Sequence, residues 1–153
     1  MTGKDYMLQY WQARVTVRRL ESQQASIRDL LGNVTVDPSS EYVQTSRDPD
    51  QIGKLVAKLA DIQDKLNEEK LRAMDLMDEI YRVINKLGDP DEQLILQMRY
   101  IKMLPWSKVE KELEKVQRYY CLDWMMRKHR HALREIERLT NCLSNSKNEC
   151  DIV

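Results

Sequence analysis

The chain has 153 residues, enough for one domain or for one small domain with an extended element. Its 42% hydrophobic content suffices for packed helices but is lean for a thick globular core, and four glycines, four prolines and 33% charged residues favour a mostly helical protein. The formal net charge is zero, so overall charge by itself announces no nucleic-acid partner.

The opening stretch, MTGKDYMLQYWQARV, holds no apolar run of signal-peptide or membrane-spanning length, so no membrane association is expected. Cys121, Cys142 and Cys150 are an odd set without metal spacing, which points to a reduced, cytoplasmic setting. Tyr6, Tyr10, Ala13, Val17, Leu20, Gln24, Ile27 and Leu31 then recur in alternating steps of four and three. That is a coiled-coil seam with one polar interruption, Gln24. Gly32-Asn33 should stop this first helix. Residues 32–48, with Pro38 and a Ser-Ser pair, read as a loop longer than usual between helices.

Asp48 and Pro49 can open the second helix, as cap and first-turn residue. Its seam runs through Ile52, Leu55, Leu59, Ile62, Leu66, Glu69, Ala73, Leu76, Ile80, Val83 and Leu87. A helix of about 39 residues is roughly 58 Å long, more than one small domain buries. The seam must therefore pair with the first helix, with a second copy of the chain, or with both. The first segment, 1–88, is thus expected to be an antiparallel helical hairpin that also supports a homodimer.

Neutrality hides an asymmetry. Residues 48–92 hold seven basic and twelve acidic side chains, whereas residues 97–138 hold eleven basic and six acidic ones. An acidic rod precedes a basic unit, which favours an anionic partner for the latter. Gly88 should end the long helix, with Asp89 capping a third helix and Pro90 in its first turn. Leu94, Met98 and Ile101 form one face of that helix, which is expected to run to about Met103, before Pro105. Ser107 and Glu110 have capping-box spacing, and Val109 and Leu113 supply the buried edge of a fourth helix. The last helix is expected from Asp123 to Cys142, followed by a disordered tail over 143–153.

In that last helix Met125, Met126, His129, Ala132, Leu133, Ile136 and Leu139 share one arc, and Arg127, Arg130, His131, Arg134 and Arg138 share the opposite one. One face packs; the other carries cations at successive turns, a pattern that neutralises phosphates and lets Arg reach guanine edges. On the apolar arc, His129 reads as a packed, hydrogen-bonded histidine rather than a ligand. Three short helices with a basic amphipathic one last suit a helix-turn-helix unit over 89–142.

The run LILQMRYIKMLPWSKVEKEL…DWMMRKHRHALREIERL resembles region four of bacterial sigma factors, and more closely their phage-encoded relatives, including the ArpU-like late regulators and small uncharacterised phage proteins. The matching features are Arg99-Tyr100 ending one helix, Trp106 opening the next, Val109 and Leu113, and His129 with Ala132-Leu133. The resemblance implies an all-α fold, a hairpin followed by a three-helix sigma-like unit, and a transcription regulator that binds double-stranded DNA. By motif position it implies contacts from Arg127, Lys128, Arg130, His131, Arg134 and Arg138, and it brings RNA polymerase into view as a partner. One departure stands out. Leu113 and Ala132 are nineteen residues apart, about five more than the helix-turn-helix motif uses. Either the connection is longer or the fourth helix runs on through Val116.

Catalytic, cofactor and metal chemistry find no foothold. The four glycines are scattered and make no phosphate loop. His129 and His131 are two apart and cannot share a helix face, and nothing orients either as a base for Cys121. No enzyme activity, cofactor or metal is expected. The competing expectation keeps the fold but removes DNA: a coiled-coil interaction module that binds a protein such as RNA polymerase.

Overall fold

The computed structural model describes residues 1–32, 49–116 and 121–150. The protein is all-α, and its described residues form five α-helices: α1 (Gly3–Gly32), α2 (Pro49–Ile84), α3 (Pro90–Leu96), α4 (Trp106–Lys115) and α5 (Leu122–Cys150). A single π-helical turn, Gln97–Ile101, continues α3. Among the described residues no helix is long and apolar enough to cross a membrane. The expected loop lies outside the described residues except for Gly32, which ends α1, and so does the Asp48 cap. The division into compact units falls inside the long helices, at Gln12/Ala13 and Arg72/Ala73, rather than at Gly88.

One unit comprises residues 13–72. Val17 and Leu20 of α1 pack with Leu66 of α2. Gln24, only 8% exposed, donates its amide to Gln63, whose own amide donates to Asn67 at 2.9 Å. Glu21 pairs with Lys70 at 3.1 Å. Pairs one heptad on in α1 meet residues earlier in α2, so the pairing is antiparallel and lies within one chain. The buried glutamine is satisfied, and such a polar layer favours one register over its slipped alternatives. Further along, Ile27, Leu31, Ile52, Leu55, Leu59 and Ile62 are only half-buried, and Leu30 and Val56 are 56% and 52% exposed.

The other unit comprises residues 1–12 and 73–153. Thr2 starts α1 by a capping exchange: its hydroxyl donates to Asp5 Oδ2 at 2.7 Å and accepts from the Asp5 amide at 3.2 Å. Those bonds to Thr2 hold the Asp5 carboxyl below its ordinary range. Tyr6 is buried and donates to Glu79 Oε1 at 3.1 Å; burial, with the Glu79 charge, pushes its phenol pKa well up. At the start of α1, Gly3 lies against α5, where its amide donates to Glu137 Oε2 at 3.3 Å. A Cβ built on Gly3 would overlap the Leu133 carbonyl oxygen, so only glycine permits this approach.

The core of this unit joins Ile95 and Met98 to Val109 and Leu113 of α4 and Met125 of α5, flanked by Leu94, Leu104, Trp106, Trp124 and Met126. Burying each such aliphatic side chain stabilises the fold by about 1.5–3 kcal/mol.

Several boundaries differ from those expected. α2 ends at Ile84, and its last turn tightens through Lys86 N–Val83 O and Leu87 N–Ile84 O bonds, so Gly88 is not a left-handed cap. α4 starts at Trp106, capped by the backbone of Pro105. The Pro105 carbonyl accepts from Lys108 and Val109, and Ser107 lies inside the helix without forming a capping box. The fourth helix does not run through Val116, which caps it; the remainder of the long connection, 117–120, lies outside the described residues. α5 continues to Cys150, eight residues beyond the expected end, because nothing from Leu143 to Cys150 is a proline or glycine that would stop it.

Candidate nucleic-acid interface

The geometry around α5 is built from its supports outward. At the corner before α4, the amide of Lys102 donates to the Gln97 carbonyl across the π-turn, and the Leu104 amide reaches back to Met98 at 3.0 Å. Met103 sits at φ 57°, a left-handed conformation uncommon for a side chain of this kind. Arg99 closes the corner. Its Nη1 donates to the Leu104 carbonyl at 2.9 Å, and its guanidinium lies 4.9 Å from the Trp106 ring centroid.

This corner grips the first third of α5 through His129. The Trp106 ring meets His129 edge-on at 4.8 Å, and Tyr100 Oη is 2.9 Å from His129 Nε2. Burial, together with the charges of Arg99, Lys4 and Arg130, lowers the His129 pKa to about 4. The ring is therefore neutral at pH 7 and free to share one hydrogen bond with a phenol.

The start of α3 supports a different flank of α5. Asp89 caps α3, accepting from the Asp91 amide at 2.9 Å, and its second oxygen accepts from Lys128. Lys128 holds the Asp89 carboxyl below its ordinary range, and Asp89 in turn raises the Lys128 ammonium. One turn on, the buried Glu92 carboxylate accepts from His131 Nδ1 at 2.7 Å. These pairs bound a concavity of about 600 Å³ whose walls carry both signs of charge.

The remaining arc of α5 is open. Arg127, Arg130, Arg134 and Arg138 are exposed. Arg127 and Arg130 each spend only Nε, on the carbonyls of Asp123 and Met126, leaving their terminal N–H groups outward. Arg138 is paired with Glu135 through Nε and Nη2 at 3.2 and 2.8 Å. Arg127, Arg130 and Arg134 have no carboxylate partner among the described residues.

The six residues expected to touch DNA thus separate into three groups. Three arginines are open, Arg138 is open but paired within its helix, and Lys128 and His131 are held by Asp89 and Glu92, although the His131 side chain stays 63% exposed. Their partners Asp89 and Glu92 are 39 positions away, a separation at which no local spacing rule operates. Likewise the Arg99–Trp106–His129–Tyr100 cluster spans three elements. In the sequence, the Arg99-Tyr100, Trp106 and His129 matches, and the place of His129 on the apolar arc, pointed toward it.

Fold and surface together define an all-α protein whose last helix is buttressed on two flanks and presents arginines on a third. The family described as "Protein of unknown function (DUF1492)" matches residues 43–137, more than half of the chain, and the chain belongs to that family. No curated protein and no solved structure matches it.

Proposed function

We propose that the protein is a non-enzymatic phage or prophage transcription regulator that binds double-stranded DNA through α5 and self-associates through α1 and α2. The observation that carries this reading is the row of Arg127, Arg130 and Arg134. They stand at successive turns on an exposed face, without carboxylate partners among the described residues, on a helix held from its other sides. Uncompensated guanidinium groups at that spacing suit phosphates and guanine edges. The sigma region-four-like arrangement adds support: α3 with its π-turn, then α4, then a basic α5 packed on both through Met98, Val109, Leu113 and Met125. RNA polymerase is the protein partner that this arrangement suggests. Self-association draws on the half-covered aliphatic seam between Ile27 and Ile62.

The test is fluorescence anisotropy with a duplex from the promoter region beside the gene, over a range of salt. Wild type is expected to bind with a steep salt dependence. Each of Arg127→Ala, Arg130→Ala and Arg134→Ala should lower the slope of log K against log salt by about 1. Lys128→Ala should leave it nearly unchanged, because that ammonium already serves Asp89. Salt-independent or absent wild-type binding, or a triple arginine variant that binds like wild type, would refute the reading.

A further inference from the structure

A second surface is built from α1 and the corner, and it involves none of the open arginines of α5. Lys4, Leu8 and Trp11 recur in steps of four and three along a face of α1 other than its Tyr6–Tyr10 seam. Opposite them stand Arg99, Tyr100 and Met103, and the two walls enclose a hollow of about 480 Å³.

Three properties of this hollow call for an occupant. First, Trp11, the largest side-chain type, is 49% exposed at its rim although it stands one residue from the buried Tyr10. Second, Met103 reaches its wall from a left-handed backbone at φ 57°, a strained conformation of a kind that clusters at functional sites. Third, its lining carries two cations, Lys4 and Arg99, and no carboxylate. Behind Tyr100 the His129 pKa is lowered first by burial and then by the charges of Arg99, Lys4 and Arg130, of which Arg99 and Lys4 line this hollow.

We infer that this hollow docks an acidic amphipathic helical segment of a partner protein. An apolar side chain of that segment sits among Leu8, Trp11 and Met103, and its carboxylates pair with Lys4 and with the N–H groups that Arg99 does not give to Leu104. A DNA duplex is the poorer fit, since its bases are stacked inside and the phosphates and sugars it presents have no use for an apolar floor. Trp, Tyr, Met and Arg around such a floor are the residues enriched where proteins meet. The inference stands apart from DNA reading by α5 and survives its failure.

Nuclear magnetic resonance on the isotopically labelled full chain tests it. The probes are a synthetic helical peptide of Glu, Ala and Leu, about 20 residues long, with its leucines on one stripe, the same peptide with every Glu replaced by Lys, and a DNA duplex. The acidic peptide should shift the Trp11 indole and Met103 amide resonances saturably. Trp11→Ala and Lys4→Glu should each weaken it about tenfold, and Arg127→Ala/Arg130→Ala/Arg134→Ala should leave it unchanged. Both Trp11 and Lys4 are exposed, so these variants keep the wild-type far-ultraviolet circular dichroism. The inference is overturned by an absence of saturable shifts, by equal binding of the lysine peptide, by a Trp11→Ala variant that binds like wild type, or by the duplex alone moving Trp11.

Discussion

A histidine on the apolar arc of a helix is either a partnered neutral ring or a buried charge, and His129 is the first. Its pKa is lowered from the ordinary 6.5 to about 4, chiefly because burial penalises the imidazolium and secondarily because Arg99 stands near. The sign of the linkage follows. The unfolded chain takes up a proton below pH 6.5 while the folded chain resists until about pH 4. The stabilising contribution is therefore complete above pH 6.5 and declines as pH falls through that window. The urea midpoint of the wild type should fall between pH 6.5 and pH 4, and His129→Gln should flatten that decline. Parallel profiles for the two proteins would contradict the assignment. The helical period placed Arg127, Arg130, His131, Arg134 and Arg138 away from the packed face of α5, but it could not separate Arg127, Arg130 and Arg134 from His131, or from Lys128, which only the motif position added. That distinction depends on Asp89 and Glu92 arriving from another helix.

Between elements, a backbone contact decides more than side-chain pattern does. Gly3 brings the first turn of α1 onto α5, against the Leu133 carbonyl and 3.2 Å from the Glu137 amide nitrogen as measured from a Cβ built there. Two effects compete in Gly3→Ala. Helix propensity favours alanine by up to about 1 kcal/mol, while the overlap with rigid backbone costs typically about 1–3 kcal/mol. The overlap wins, because neither helix axis can yield as a flexible side chain would. Chemical denaturation should show Gly3→Ala destabilised by about 1–2 kcal/mol; a midpoint equal to or above wild type would show that α1 does not pack here. The start of α3 was legible, since Asp89-Pro90 is a local signal and the cap forms as read. The start of α4 was not. Ser107 and Glu110 have the right spacing, but the π-turn and left-handed Met103 deliver the chain one residue earlier, and the Pro105 carbonyl takes the amides instead.

For the whole molecule, the two heptad seams pair within one chain, yet they do not cover each other along their full length. Under the proposed self-association the half-buried aliphatic residues from Ile27 to Ile62, with the exposed Leu30 and Val56, form the contact between copies. Light scattering should then give a dimer mass at micromolar concentration. Leu30→Lys/Val56→Lys should convert it to monomer without loss of helix, because both side chains are exposed in the protomer. A wild-type monomer mass across that range, or a double variant that remains dimeric, would exclude this contact.

The sequence by itself determined the helices and their inward faces. Every seam position of α1 and α2 is buried or half-buried, and so is the apolar arc of α5, because a helical period of 3.6 residues is a local property that any amphipathic segment declares. What only the tertiary structure decided is which chemistry remains available on the other faces. Lys128 and His131 are consumed by acids 39 residues away, Gly3 becomes a helix contact, and Lys4, Trp11 and Arg99 meet around a hollow. Such pairings follow from where the chain returns in space, and no spacing along the sequence encodes that directly.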